Sequence, residues 1–324
     1  MKLWLRNAAA FCAGLLCLAS TVLAQNYPVR PIRLVVPYAP GGNGDISARI
    51  IGAALTDLLG QTVVVDNRAG GNGVIGTNLA AKAQPDGYTL LLGASGSLTV
   101  GPAVLSKLPY DTIKDFTPIS MLQFVSMVVL TSPKTPVSNY QELMALAQAQ
   151  PGKVTMASAG AGTSNHLAIE LLNTMANVKF LHVPYRGSGP ALSELLGGQV
   201  ETMIDQMSSS ISHVRGGRLK AIAITSKTRS PMLQNVPTLD ELGLKGFDAI
   251  TFTALMAPAA TPRPVLDKLH AATVKALHSL TVRERFQGMG AEIRSTTPAE
   301  LGAFIREDAE RWKKVADTAN VRVE

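Results

Sequence analysis

Cysteine is nearly absent from this chain of 324 residues, which has only Cys12 and Cys17. Both lie in a segment with the layout of a secretory signal peptide. Lys2 and Arg6 form its basic region, an apolar run extends from Ala8 to Leu18, and Val22-Leu23-Ala24 supplies a cut before Gln25. The expectation is a signal peptide over residues 1–24 and export to the periplasm. Leu15-Leu16-Cys17 lacks the small residues that precede a lipid-modified cysteine. Downstream of the cut the chain has no thiol, which excludes disulfides, thiolate nucleophiles and Cys-ligated metal there. A chain of this length can bury a large core without such staples.

Other shortages exclude whole classes of function. Aromatic residues make up 5% of the chain and there is no dense basic tract, so nucleic-acid binding is unsupported. No serine sits in a G-x-S-x-G elbow. The histidines, His166, His182, His213, His270 and His278, show no H-x-x-x-H metal spacing. No catalytic residue, metal ligand or cofactor is assigned. Long apolar runs of membrane length are missing as well. The formal charge is +7, or +5 without Lys2 and Arg6. That excess suits anionic ligands through long-range steering and serves solubility equally well.

The chain does show alternation of short buried strands with helices, the pattern of an α/β fold with mainly parallel sheets. Strands are expected over 32–36, 63–65 and 88–92. Helices are expected from Ile46 to Leu58, stopped by Gly60, and from Ile75 to Ala83. A second set has strands near 127–131, 154–156, 180–183, 201–204 and 221–225. Its helices cover 139–149 with Ser138 as N-cap, 165–175 and 191–196. Three helical patterns end the chain, over 264–280, 281–289 and 298–319, and they need a sheet to cover. The simplest arrangement is two domains, 25–125 plus 250–324 and 126–249. The chain crosses between them near 120–126 and 247–254. Two crossings make a hinge, and the cleft between the domains is a ligand site.

Three loops share one design. They are Pro40-Gly41-Gly42-Asn43-Gly44-Asp45, Ala94-Ser95-Gly96-Ser97 and Ser158-Ala159-Gly160-Ala161-Gly162-Thr163-Ser164. Each comes after a strand, and the first and third open a helix. Glycine allows close backbone approach, and free N–H groups at a helix start attract an anion. In an open parallel sheet such loops gather at the carboxyl ends of the strands. A fourth glycine run, Gly71-Asn72-Gly73-Val74-Ile75-Gly76, matches G-x-G-x-x-G. Five residues separate it from its strand and no acid lies about twenty positions on, so a nucleotide site is rejected and its glycines are read as structural.

Asp45 and Asp205 are the notable acids. Asp45 is read as a helix cap. For Asp205 two readings stand, receiving a ligand amine or hydroxyl, or capping a helix. His166 opens a helix beside Ser164 and is read as satisfying a carbonyl of the loop.

The chain also resembles the Bug family, the periplasmic receptors of tripartite tricarboxylate transporters. The resemblance is carried by Pro31-Ile32-Arg33-Leu34-Val35-Val36-Pro37-Tyr38, Gly41-Gly42 with Asp45, and Val63-Val64-Val65-Asp66-Asn67-Arg68. It continues through Pro85-Asp86-Gly87-Tyr88-Thr89-Leu90-Leu91, Leu108-Pro109-Tyr110-Asp111, Gly162-Thr163-Ser164-Asn165-His166-Leu167 and His182-Val183-Pro184-Tyr185-Arg186-Gly187. It implies the two-domain periplasmic binding protein fold of type II, closing on a small organic carboxylate that is handed to membrane transporter subunits. It also implies a ligand site at Pro40, Gly41, Gly42, Asn43, Asp45, Ser95, Ser158, Gly162, Thr163 and Asp205. A monomer is expected. One departure stands out: many relatives have Pro-Thr or Pro-Ser before the loop aspartate, where this chain has Asn43-Gly44. The rival readings are a secreted enzyme acting on small acids, with His166 or Asp205 as its base, and a periplasmic sensor without a transport role.

Overall fold

The computed structural model describes residues 27–323. The expected signal peptide lies outside the described residues. Among the described residues no helix is long and apolar enough to cross a membrane.

The first unit obeys the alternation read from the sequence. Strand β1 (Ile32–Val36) leads to α1 (Asn43–Leu59), then β2 (Val63–Asn67), α2 (Val74–Ala81) and β3 (Thr89–Ala94). β1 lies between β2 and β3, parallel to both. Its inward side chains Ile32, Leu34 and Val36 are fully buried. Helix α1 starts at Asn43, not at Ile46, because Gly42 takes the extended N-cap conformation. It ends where Gly60 turns left-handed at φ 69°. A wide helical turn over 96–100 and the short α3 (Gly101–Val104) come after β3.

The crossing expected near 120–126 is itself strand. β4 runs from Phe116 to Thr131 without interruption. Its first part pairs with β9 (Ile250–Pro258) and β10 (Ala291–Ile293), and its last five residues with β7 (Thr202–Gln206) and β8 (Lys220–Ile224), all antiparallel. The register against β9 slips between Pro118 and Ser120, which accommodates a proline that cannot donate to the ladder. The second crossing leads into β9, which lies between β3 and β4.

Beyond β4 the chain forms α4 (Tyr140–Ala149), β5 (Thr155–Ser158), α5 (Ser164–Ala176), β6 (Leu181–Pro184), α6 (Ser188–Gly197) and, after β7, α7 (Met207–Arg215). Strand β5 lies between β6 and β7, parallel to both. Asn139, not Ser138, caps α4, accepting the Glu142 N–H at 2.9 Å. Helix α7 has no counterpart in the sequence reading, since its serine-rich start hides the apolar stripe. The late helices α8 (Arg263–His278), α9 (Leu280–Gly288) and α10 (Pro298–Thr318) stand where expected. They do not all cover the first unit alone. Trp312, Ala316 and Val321 pack in one core cluster with Leu167 and Leu172 of α5.

Both β4 and β9 are spines of one curled sheet, ordered β2-β1-β3-β9-β4-β7-β5-β6. The two crossings are fastened side by side at Thr225. Its Oγ1 accepts the Met127 N–H and reaches the carbonyls of Met127 and Ala249.

Candidate functional site

A cleft of about 770 Å³ opens between the two halves of the sheet. Four helix starts border it: Gly42 to Gly44 of α1, Thr163 to Asn165 of α5, Gly187 and Ser188 of α6, and Gln206 before α7. Helix starts carry N–H groups without intrahelical partners and the positive end of the dipole. No side chain caps α1, α6 or α7. Only α5 is capped, by Thr163, whose hydroxyl accepts the His166 N–H at 3.3 Å. Lys107 and Arg186 also line the cleft, whereas none of the described lining residues is acidic. The enclosure is therefore rich in donors and positive in sign.

Of the ten residues expected at the site, Gly42, Asn43, Ser95 and Thr163 line the cleft. Ser95 Oγ accepts the Phe252 N–H at 2.8 Å, which fixes the hydroxyl while leaving its proton free to donate. Pro40 and Gly41 are exposed and off the lining. Gly162 lies just behind the wall.

Asp45 also sits behind the wall. It occupies the third position of α1 rather than the N-cap, and its carboxylate reaches back to the Gly41 N–H at 3.0 Å. Burial pushes its pKa up, but hydrogen bonds from Arg49 and Gly41 outweigh burial and hold it below the usual carboxylate value.

Asp205 does not face the cleft. It has no exposed surface. Its oxygens accept Ser188 Oγ at 2.6 Å, Ser209 Oγ at 2.6 Å and Asn165 Nδ2 at 3.3 Å. Burial raises its pKa to about 6, against the lowering effect of those bonds. Both sequence readings of this acid give way to a third, a brace joining the starts of α5, α6 and α7.

Ser158 is likewise buried, with its Oγ 2.6 Å from His182 Nε2. The His182 ring stacks on His166 at a centroid distance of 3.9 Å. Burial, with His166 beside it, lowers the His182 pKa to about 4. His166 Nδ1 accepts the Gly162 N–H at 3.1 Å, so His166 does serve its loop, through a donor rather than a carbonyl.

Sequence reasoning missed the loop from Ala69 to Val74, which lines the cleft. Its failure as a nucleotide motif hid its use as a wall. Asn72 in this loop donates through Nδ2 to the Gly162 carbonyl across the cleft. Ser188 and Asn165 were missed too. Their signal was their place at a helix start, where backbone N–H groups lack intrahelical partners.

A family model described as tripartite tricarboxylate transporter family receptor matches residues 47–321. The chain belongs to this receptor family. It is 41% identical over 299 residues to Protein BugT of Bordetella pertussis, covering 92% of each chain. Among solved structures, the periplasmic binding protein BugD superposes with a TM-score of 0.89 at 36% identity, over 92% of this chain and 100% of that one. The R. palustris protein Rpa4515, solved with adipate, gives a TM-score of 0.89 at 32% identity, over 92% of this chain and 99% of the other. This receptor family is one of solute-binding proteins, and the two-domain α/β architecture is shared with these structures.

Proposed function

We propose that this receptor captures a small organic carboxylate in the periplasm and delivers it to the membrane subunits of a tripartite transporter. One observation carries the reading. Four helix starts and two cations converge on a cleft whose described lining has no acid. Preorganised N–H and O–H donors bind a carboxylate without metal or cofactor. Rpa4515, bound to adipate, supports the same ligand class.

In this reading Gly42, Asn43, Ser95 and Thr163 touch the ligand, together with Asn165 and Ser188. Pro40, Gly41, Asp45, Ser158, Gly162 and Asp205 shape the loops behind them. The hinge divides the chain into 25–125 plus 250–324 and 126–249. The switch of β4 partners supports it, since Ser126 is the last residue paired with β9 and Met127 the first paired with β7. Residues 1–24 direct export, and the receptor acts as a monomer. The Ser158–His182 pair does not favour an enzyme, because Ser158 is sealed from the cleft.

The test is calorimetric titration of unfolded and refolded, ligand-stripped protein with succinate, adipate, malate, citrate and benzoate. Saturable one-to-one binding of at least one acid is expected. Absence of heat and of thermal stabilisation with all five would defeat the carboxylate reading.

A further inference from the structure

Asn43 is half of the Asn43-Gly44 departure, and its surroundings fix which end of its amide does what. It is the first residue of α1, buried, and part of the cleft wall. Gln123 Nε2 donates to Asn43 Oδ1 at 3.0 Å. Ser208 Oγ donates to the same oxygen at 2.6 Å. Gln123 is itself oriented from the other side by Ser47, whose hydroxyl donates to the Asn43 carbonyl at 2.7 Å and accepts Gln123 Nε2. That chain of donors leaves Oδ1 only as an acceptor and turns Nδ2 the opposite way. Among the described residues Nδ2 has no hydrogen-bond partner, nor is it among the sealed unpaired polar atoms. It therefore opens on the cleft.

The partners of Oδ1 come from opposite sides. Gln123 lies in the part of β4 paired with β9, on the same side as α1. Ser208 is the second residue of α7, across the cleft. The Ser208 bond therefore joins the two sides in this structure.

Resting on the carboxylate reading, we propose that Asn43 is a closure-dependent specificity residue. Gln123 and Ser208 hold its Oδ1, and its Nδ2 donates to an oxygen of the ligand beside the uncapped start of α1. A hydroxyl at this place would rotate and could donate or accept. A clamped amide can only donate to the cleft. The residue thus selects for an acceptor oxygen at that spot and rejects a ligand donor there, such as an ammonium. A site built to pair a polar group discriminates strongly against a ligand that leaves it unpaired.

The experiment compares wild type, Asn43→Asp and Ser208→Ala by calorimetry at neutral pH with succinate, adipate, malate, citrate and benzoate. Circular dichroism melts without ligand check the fold. Asn43→Asp keeps an acceptor for Gln123 and Ser208 but turns a carboxylate oxygen toward the cleft. Its affinity is expected to fall at least tenfold for every acid the wild type binds. Ser208→Ala, which removes only the closing bond, is expected to weaken all bound acids by one common factor and keep their rank order. Asn43→Asp binding within threefold of wild type while remaining folded overturns the inference and leaves the carboxylate reading intact. So does a changed rank order in Ser208→Ala. Should Asn43→Asp fail to fold, Asn43→Ser decides. It must alter the rank order among the acids, and an unchanged order overturns the inference. If wild type binds none of the five, the carboxylate reading falls, and this inference with it.

Discussion

At Asp205 a carboxylate without exposed surface collects hydroxyls from Ser188 and Ser209 and the amide of Asn165. Behind the neighbouring loop, His182 is held neutral against Ser158 and His166. These two groups oppose each other in pH dependence. The folded pKa of Asp205 is raised from 3.8 to about 6, so the folded state holds more protons than the unfolded state between those values. Its contribution to stability is present below pH 4 and is lost as pH rises through 6. The folded pKa of His182 is lowered from 6.5 to about 4, so the unfolded state holds more protons there. Its contribution is present above pH 6.5 and is lost as pH falls through 4. The prediction concerns Tm measured at pH 4.5 and pH 7. For Asp205→Asn, the wild-type lead in Tm is larger at pH 4.5 than at pH 7. For His182→Gln, it is smaller at pH 4.5 than at pH 7. Parallel curves for either variant would show that its group does not titrate in this window.

At the scale of elements, glycines separate into two kinds. The G-x-G-x-x-G run between β2 and α2 is structural at Gly76. A Cβ there would lie 2.7 Å from the Arg68 carbonyl oxygen and 2.8 Å from the Pro37 Cα, both backbone atoms that cannot swing aside. Gly76 is thus what lets α2 lie against the end of β1. Gly42 is different, since a Cβ there would meet the Ala39 carbonyl at an ordinary 3.6 Å. Overpacking a tight site costs about 1–3 kcal/mol. Urea unfolding of Gly76→Ala is expected to show a loss in that range, and Gly42→Ala a loss below about 1 kcal/mol. Equal losses would deny the distinction.

The same elements show what could be read in advance. Strands with inward Ile and Leu at alternate positions and helices stopped by glycine were legible, because period and stop signal are local. The Asn43 start of α1 was not, because Gly42 reads as a turn until its extended conformation is seen. Nor was α7, whose Ser208, Ser209 and Ser210 look like loop. All three are buried, and Ser208 finds its partner, Asn43, far away in sequence, while Ser209 and Ser210 turn back on Asp205 and the Gln206 carbonyl. The three glycine loops brought four of ten expected residues to the cleft. Asp205 could not be placed, because an acid at a strand end can face the ligand or turn back, and only the positions of Ser188 and Asn165 decide.

On the scale of the whole molecule, the proposed closure rests on few direct bonds across the cleft among the described residues. Asn72 in the loop before α2 donates to the Gly162 carbonyl in the loop before α5, and Ser208 donates to Asn43. Elsewhere the sides meet through the apolar cluster of Trp312, Ala316 and Val321 with Leu167 and Leu172, and at the cleft rim through small residues. A Cβ on Gly187 would come within 2.8 Å of the Ala39 Cβ. On the proposed hinge axis the chain crosses at Met127 and again at Ala249, and Thr225 ties the two together. In the proposed hinge motion, the balance between open and closed forms depends on the cross-cleft contacts and the ligand. Removing Asn72 Nδ2 costs the closed form one hydrogen bond, about 1 kcal/mol. That shifts the closed-to-open ratio about fivefold and lowers apparent affinity by no more than that factor. Asn72→Ala is therefore expected to bind the same acids in the same rank order, several-fold more weakly. Its ligand-free radius of gyration by small-angle X-ray scattering is expected to exceed that of wild type, and the two are expected to converge when adipate or another bound acid saturates the cleft. If affinity falls while the ligand-free radius stays unchanged, Asn72 acts on the ligand and not on the opening of the lobes.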